Sequence, residues 1–283
     1  MSIPERQLEQ WSSLGAQRGS ADTYASIKNA LGSHSFPPSM TFSVYLQGSY
    51  PNHTNIRGDS DVDIIVETDG VFYHNVPEDR KLEFGLVTPG SFIWSEFRDE
   101  VRRALSSYYG GRAVVQGNKS IKVSGYGNRL NADVVPCTEY RAYSSPGRYA
   151  KGITFFSGDG VQIINHPKLH LENGSTKNGL CSKRYKPTIR VFKNARNNAT
   201  NDFPSYFLEC LLYNVPNNCF VGSYSQTFVN ALQHLCNARN DGSLSSFVCQ
   251  NERQRVFGPN EYQISIGEAE ICVDALVDLW NNW

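Results

Sequence analysis

The sequence predicts an α+β protein, with a mixed-sheet lobe over residues 1–168 that includes an N-terminal helix, and a helical lobe over 169–283. Three observations predict it. Before about residue 165, apolar residues alternate in short runs such as Val62-Asp63-Ile64-Ile65-Val66 and Ala132-Asp133-Val134-Val135, the period of strands. After about residue 170 they recur near every 3.6 residues, the period of helices. At 283 residues the chain is long enough to bury a full core and to form two lobes with a cleft between them.

The elements follow in order. Residues 5–31 read as helix, broken near Gly15–Gly19, with Leu8, Trp11, Tyr24, Ile27 and Leu31 as buried positions. Residues 41–47 alternate as a strand that ends at Gly48-Ser49, and a second strand starts at Asp61. A helix over 91–109 and strands near 112–115 and 119–123 come next. A strand over 130–136 follows, which Pro136 ends or confines to an edge. Further strands are expected at 139–143, 152–156 and 161–165, before the break His166-Pro167. Helices are expected at 185–198, 205–214, 223–239 and 267–280. Asn217-Asn218, Asp241-Gly242 and Gly258-Pro259 mark turns among them.

Composition excludes several classes. Lys+Arg and Asp+Glu number 27 each, so no global basic field recruits long nucleic acid. No apolar run approaches the roughly 18 residues that span a bilayer. Met1-Ser2-Ile3-Pro4-Glu5 lacks the basic and apolar regions of a signal peptide. The seven cysteines are odd in number and form no Cys-x-x-Cys pair, which fits reduced thiols and a cytoplasmic location. The six histidines show no metal-ligand spacing.

The motif with most chemical content is Gln47-Gly48-Ser49-Tyr50, followed after a polar loop by Ser60-Asp61-Val62-Asp63-Ile64-Ile65-Val66. On a strand Val62, Ile64 and Val66 face one way, and Asp61 and Asp63 share the other face, about 7 Å apart at Cα. A lone Asp-x-Asp on a strand is commonly a solvated outer face. Here a Gly-Ser turn precedes it, of the kind that lets backbone N–H groups approach phosphate oxygens. Two neighbouring carboxylates repel unless a cation sits between them, and hard ions such as Mg²⁺ complete their shells with substrate phosphates. Asp133, between Ala132 and Val134, is the best third carboxylate for a two-metal site. Glu67 sits at the far end of its strand, and turn chemistry accounts for Asp59. Arg184, Lys186, Arg190, Lys193 and Arg196 crowd one helical region. Such a run is usually a solvent face, but Lys193 borders the buried stripe, where a compact ammonium suits a triphosphate.

The Gly-Ser pair, a gap near ten residues and Asp-x-Asp resemble the polymerase-beta-like nucleotidyltransferase superfamily. The fuller string, Gln47 to Tyr50 and Thr54 to Asp63, resembles the bacterial cyclic GMP-AMP synthase-like (CD-NTase) enzymes of anti-phage CBASS operons. Asp133 in Ala-Asp-Val-Val-Pro-Cys matches the family's third metal ligand. Ile189 to Asn194 is similar to the helix whose lysine, here Lys193, contacts the donor triphosphate. Ser205-Tyr206 is similar to the helix start where Ser binds phosphate and Tyr stacks on a base. The zinc-binding thumb of animal cyclic GMP-AMP synthase has no counterpart here, which argues against DNA sensing.

The resemblance implies the following. Asp61, Asp63 and Asp133 hold two Mg²⁺ or Mn²⁺ ions, and a ribose hydroxyl attacks the α-phosphorus of a nucleoside triphosphate. Gln47, Gly48, Ser49, Lys193, Ser205 and Tyr206 bind the substrate. Two transfers in one cleft give a cyclic di- or trinucleotide second messenger, read by a separate effector protein. The enzyme is expected to be a monomer that uses ATP, GTP, UTP or CTP and needs neither duplex DNA nor a membrane. A linear nucleotidyltransferase acting on an antibiotic, protein or RNA acceptor shares these motifs, and a non-catalytic nucleotide sensor is a further alternative.

Overall fold

The computed structural model describes residues 2–58, 61–199, 202–260 and 263–283. Asp59 and Ser60 of the motif loop therefore lie outside the described residues. Two compact units result, one made of Gln17–Tyr50 and Ser60–Pro167, the other of Met1–Ala16, Pro51–Asp59 and Lys168–Trp283. Residues 2–16 and 51–58, expected in the catalytic lobe, group instead with the C-terminal helices. The reason is packing: Ile3, Leu8 and Trp11 are buried in the helical core.

The chain runs α1 (Glu5–Trp11), α2 (Arg18–Gly32), β1 (Phe42–Gln47), α3 (Ser49–Asn52), β2 (Asp61–His74), α4 (Trp94–Tyr109), β3 (Val114–Gln116) and β4 (Ile121–Val123). It continues with β5 (Asn131–Ser145), β6 (Arg148–Phe156), β7 (Gln162–Asn165), α5 (Pro167–Leu180), α6 (Tyr185–Asn198), α7 (Ser205–Tyr213), α8 (Tyr224–Asn240) and α9 (Ile266–Asn281).

The first unit is built on a mixed sheet ordered β1-β2-β5-β4-β3, with β6 pairing to β5 and β7 to β6. β2 and β5 are parallel, and the other pairs are antiparallel. Val62, Ile64 and Val66 of β2 are fully buried against Ile27 and Leu31 of α2 and Phe97, Val101 and Leu105 of α4. Each side chain so buried contributes roughly 1.5–3 kcal/mol of transfer free energy. Ile65, on the other face of β2, joins a smaller cluster with Cys137, Ile153 and Phe155.

Pro136 does not end its strand: β5 runs through it from Asn131 to Ser145 and absorbs the separate strand expected at 139–143. β4 pairs with β5 only at residues 132–134, and β6 only from Thr138 onward. Pro136 falls in the gap between these two neighbours. Its carbonyl accepts from Trp94 Nε1 at 2.8 Å. Because a strand residue presents N and C=O to the same side, the missing N–H costs no ladder bond.

The second unit is helical. Its core joins Tyr185, Ile189 and Phe192 of α6, Leu208, Leu211 and Leu212 of α7, Phe228 of α8 and Val273 of α9. Phe192 and Phe228 rings pack at 4.5 Å, and Phe228 stacks on Trp280 at 5.2 Å. Helix α5 lacks apolar periodicity and was not expected; it buries His170, Gly174 and Lys177 instead. Among the described residues, no helix is long and apolar enough to cross a membrane.

Candidate active site

Strand pairing places the acidic residues. Gln47 of β1 lies opposite Asp63 of β2, Asp63 opposite Asp133 of β5, and Asp133 opposite Lys122 of β4. These four residues form one row across four strands, and directly paired residues put their side chains on the same face. Asp61 lies two residues before Asp63, hence on the same face, and pairs with Asn131. Three carboxylates from two adjacent parallel strands thus share one face of the sheet.

Their surroundings differ. Asp61 is exposed, with Asn131 Nδ2 donating to its Oδ1 at 3.3 Å. Asp63 is half-buried and its carboxylate lies against the turn at Gly48. A Cβ on residue 48 would stand 2.2 Å from Asp63 Oδ2. Gly48 also has φ of +75°, so both space and backbone require glycine there. This turn carries the chain from β1 into α3, whose first residue is Ser49. Asp133 Oδ1 accepts from Ser120 Oγ at 2.9 Å and pairs with Lys122 Nζ at 3.3 Å.

The donor set suits a hard divalent cation, since carboxylate oxygens are the ligands Mg²⁺ and Mn²⁺ prefer. Gln47 Oε1 is buried in the same row with no hydrogen-bond donor among the described residues. Such an orphaned acceptor is what a hydrated ion or a ligand hydroxyl satisfies. As they stand, no three Asp, Glu, His or Cys side chains among the described residues are gathered closely enough to hold an ion. Asp133 in particular is turned to Ser120 and Lys122. The residues fit a divalent ion by chemistry and by face, with rotation of side chains needed to close on it.

In the helical unit the expected cationic face of α6 is a correction. Lys186, Arg190, Lys193 and Arg196 are all buried, and Lys193 retains only 1 % exposure. Lys193 lies inside the core, not on its border, with Nζ 2.7 Å from Glu209 Oε1 and donating to Thr54 O at 3.1 Å. Burial raises the Glu209 carboxyl, but the Lys193 ammonium, helped by His170, outweighs it and holds the group down to about 2. Ser205 is not an N-cap, because Pro204 occupies that position. Ser205 is the first helical residue, and its Oγ accepts from Arg196 Nη1 at 3.0 Å. Tyr206 stacks on His170 at 5.3 Å and 25°, and its hydroxyl accepts from Asn251 Nδ2 at 3.4 Å.

Several residues of these clusters carried no signal in the sequence. Lys122 and Asn131 become visible only through strand register, and Ser120, Thr54, His170 and Glu209 only through tertiary contact. For Lys122 the position in a short strand was readable, but its pairing partner was not.

A Gly-Ser turn beside carboxylates on a mixed sheet, in a chain that continues into a helical unit, defines a nucleotidyltransferase. Comparison with known proteins gives the particular family. Residues 172–281 match the cGAS/DncV-like nucleotidyltransferase C-terminal helical domain. The cyclic UMP-AMP synthase of Rhodothermus marinus is 43% identical over 294 aligned positions, covering 100% of this chain and 99% of that protein. The structure of that CdnE synthase with Apcpp and Upnpp superimposes with a TM-score of 0.91, covering 99% of this chain and 97% of the other. The cyclic nucleotide synthase CdnE01 of Staphylococcus haemolyticus is 35% identical over the whole of both chains. The chain belongs to the cGAS/DncV-like nucleotidyltransferases, in the CdnE group of cyclic nucleotide synthases.

Proposed function

We propose that this enzyme joins two nucleoside triphosphates into a cyclic dinucleotide, with release of pyrophosphate at each step. The observation that carries the proposal is the register of Asp63 with Asp133, with Asp61 on the same face and Gly48 closed against Asp63. UTP and ATP are the first pair to test, from the name of the 43%-identical Rhodothermus marinus synthase. Two Mg²⁺ or Mn²⁺ ions, held by Asp61, Asp63 and Asp133, would supply charge neutralisation on the phosphates and a lowered pKa for the attacking hydroxyl.

The chain's own residues do the rest. Gly48 and Ser49 bring backbone N–H groups to phosphate oxygens, as turns without a Cβ allow. Gln47 offers its buried acceptor to a hydroxyl of the bound nucleotide. Ser205 and Lys193 bind the donor phosphates, and Tyr206 stacks on a base with His170 behind its ring. Asp133 releases Ser120 and Lys122 when its carboxylate is needed elsewhere, and is the group placed to accept the proton of the attacking hydroxyl. Positioning of this kind supplies most of the acceleration in phosphoryl transfer.

The product signals to a separate effector in anti-phage defence, and the enzyme acts as a monomer without duplex DNA. The test is incubation with all four labelled triphosphates and Mg²⁺ or Mn²⁺, followed by phosphatase and mass identification. Phosphatase-resistant products that disappear with Asp61→Ala or Asp63→Ala are expected. Only phosphatase-sensitive linear products, or full activity in either variant, would overturn the proposal.

A further inference from the structure

Three consecutive carbonyls of the loop after the Gly-Ser turn are each taken by the helical unit. Arg190 Nη1 donates to His53 O at 2.5 Å, Lys193 Nζ to Thr54 O at 3.1 Å, and Gly15 N–H to Asn55 O at 3.1 Å. The Thr54 hydroxyl donates to Glu209 Oε1 at 2.8 Å, and Lys193 Nζ lies 2.7 Å from that same oxygen. His170 Nε2 stands 3.3 Å from the other carboxylate oxygen. Thr54, His170, Lys193 and Glu209 are all buried.

Connecting loops ordinarily run over the surface, where water satisfies their polar groups. This one is bound by charged side chains, and a buried ion pair is often no more stabilising than apolar residues of similar volume. The helical core alone therefore gives no reason for it. Geometry does. An ammonium has three donors; two of those on Lys193 go to Glu209 and Thr54 O, which fixes the direction of the third.

We propose that Glu209 is a positioning residue of the nucleotide site. It ties Thr54 to Lys193, fixes the loop over residues 53–55, and leaves one aimed N–H on Lys193 for a triphosphate oxygen. This rests on the nucleotidyltransferase reading above. It differs in sign from a purely electrostatic role for Lys193. By charge alone, Glu209 partly cancels the ammonium, and Glu209→Gln would leave triphosphate binding unchanged or tighten it. As a positioning residue, its loss weakens binding.

The test uses the full chain carrying Glu209→Gln or Thr54→Val, the latter keeping the ion pair should the former fail to fold. Calorimetric titration with a non-hydrolysable ATP analogue and with AMP is paired with hydrogen–deuterium exchange over residues 53–56 in the absence of nucleotide. For Glu209→Gln the analogue should bind about ten-fold more weakly and AMP within about two-fold of the parent, since the lost contact faces the phosphates. For Thr54→Val the analogue should weaken about three-fold. Loop amides should exchange about ten-fold faster in Glu209→Gln. Unchanged or tighter analogue binding, equal losses for AMP and the analogue, or unchanged exchange would each overturn the proposal. Exchange is read without nucleotide, so failure of the nucleotidyltransferase reading shows separately, as absence of cyclic product from the parent protein.

Discussion

A methyl group at residue 48 has nowhere to go. It would stand 2.2 Å from Asp63 Oδ2 on a backbone with φ of +75°, so Gly48→Ala must displace either the turn or the carboxylate. The left-handed conformation costs an L-residue roughly 1–2 kcal/mol, a modest loss of stability. Displacing a reacting group by about 1 Å costs about 10²-fold in rate. Gly48→Ala should therefore lower product formation by about a hundred-fold while thermal melting moves only a few degrees; near-parental turnover would contradict the geometry. Glu209 supports a second prediction at this scale. Its carboxyl is held down to about 2 in the folded protein, against about 4.3 in an unfolded chain. Between those values the unfolded state binds the proton first, so acid favours unfolding. A contribution of order 3 kcal/mol is whole above about pH 5 and is lost as pH falls toward 2. Glu209→Gln should flatten that stretch of the stability curve, measured by urea unfolding at a series of acid pH values; an unaltered slope would show that Glu209 is not the titrating group.

Helix α5 shows at the scale of elements what periodicity misses. Its buried stripe is His170, Gly174 and Lys177, one face of a helix with hardly an apolar side chain on it. Gly174 is small because Gln250 is fixed beside it: a Cβ there would meet Gln250 Nε2 at 2.3 Å. That amide donates to His170 O at 2.7 Å, and its oxygen accepts from the Tyr185 hydroxyl at 2.6 Å. It cannot swing aside cheaply. Gly174→Ala should lose about 1–3 kcal/mol in spite of alanine's better helix propensity, read from denaturant unfolding; stabilisation would mean that Gln250 yields. β1, β2, α4 and helices α6 to α9 were legible because each carries an apolar stripe of a single period. α6 was legible as a helix but not as a buried one. Its cations read as a solvent face, and their partners, Ser12 O, His53 O, Glu209 and Phe203 O, come from other parts of the chain. Pro136 misled for a related reason, since an edge between two partial neighbours is a property of the sheet and not of the strand. Asp61 and Asp63 were legible as sharing a face because strand alternation fixes it, and Gly48 because it precedes them in the motif; the register that sets Asp133 beside Asp63 was not. Lys122 opposite Asp133 was not, because register between distant strands leaves no mark in either.

For the whole molecule the governing quantity is charge. Lys+Arg equals Asp+Glu at 27 each, and the densest run of cations in the sequence is not available to a polyanion surface. Lys186, Arg190, Lys193 and Arg196 are buried and bonded to carbonyls, hydroxyls or Glu209. Affinity for long nucleic acid comes chiefly from surface cations that neutralise phosphates and release counterions, and it falls steeply with salt. A triphosphate makes a different demand, which a few fixed donors and a carboxylate-held ion meet at close range. On the reading proposed above, the enzyme uses small nucleotides and needs no duplex. Long double-stranded DNA added to the enzyme with UTP and ATP should change the initial rate of product formation by less than about two-fold, and the rate should depend only weakly on salt between about 50 and 200 mM. Removal of divalent metal by a chelator should abolish product in the same assay, with or without DNA. A strict requirement for duplex, or a steep fall of rate with salt, would overturn that reading.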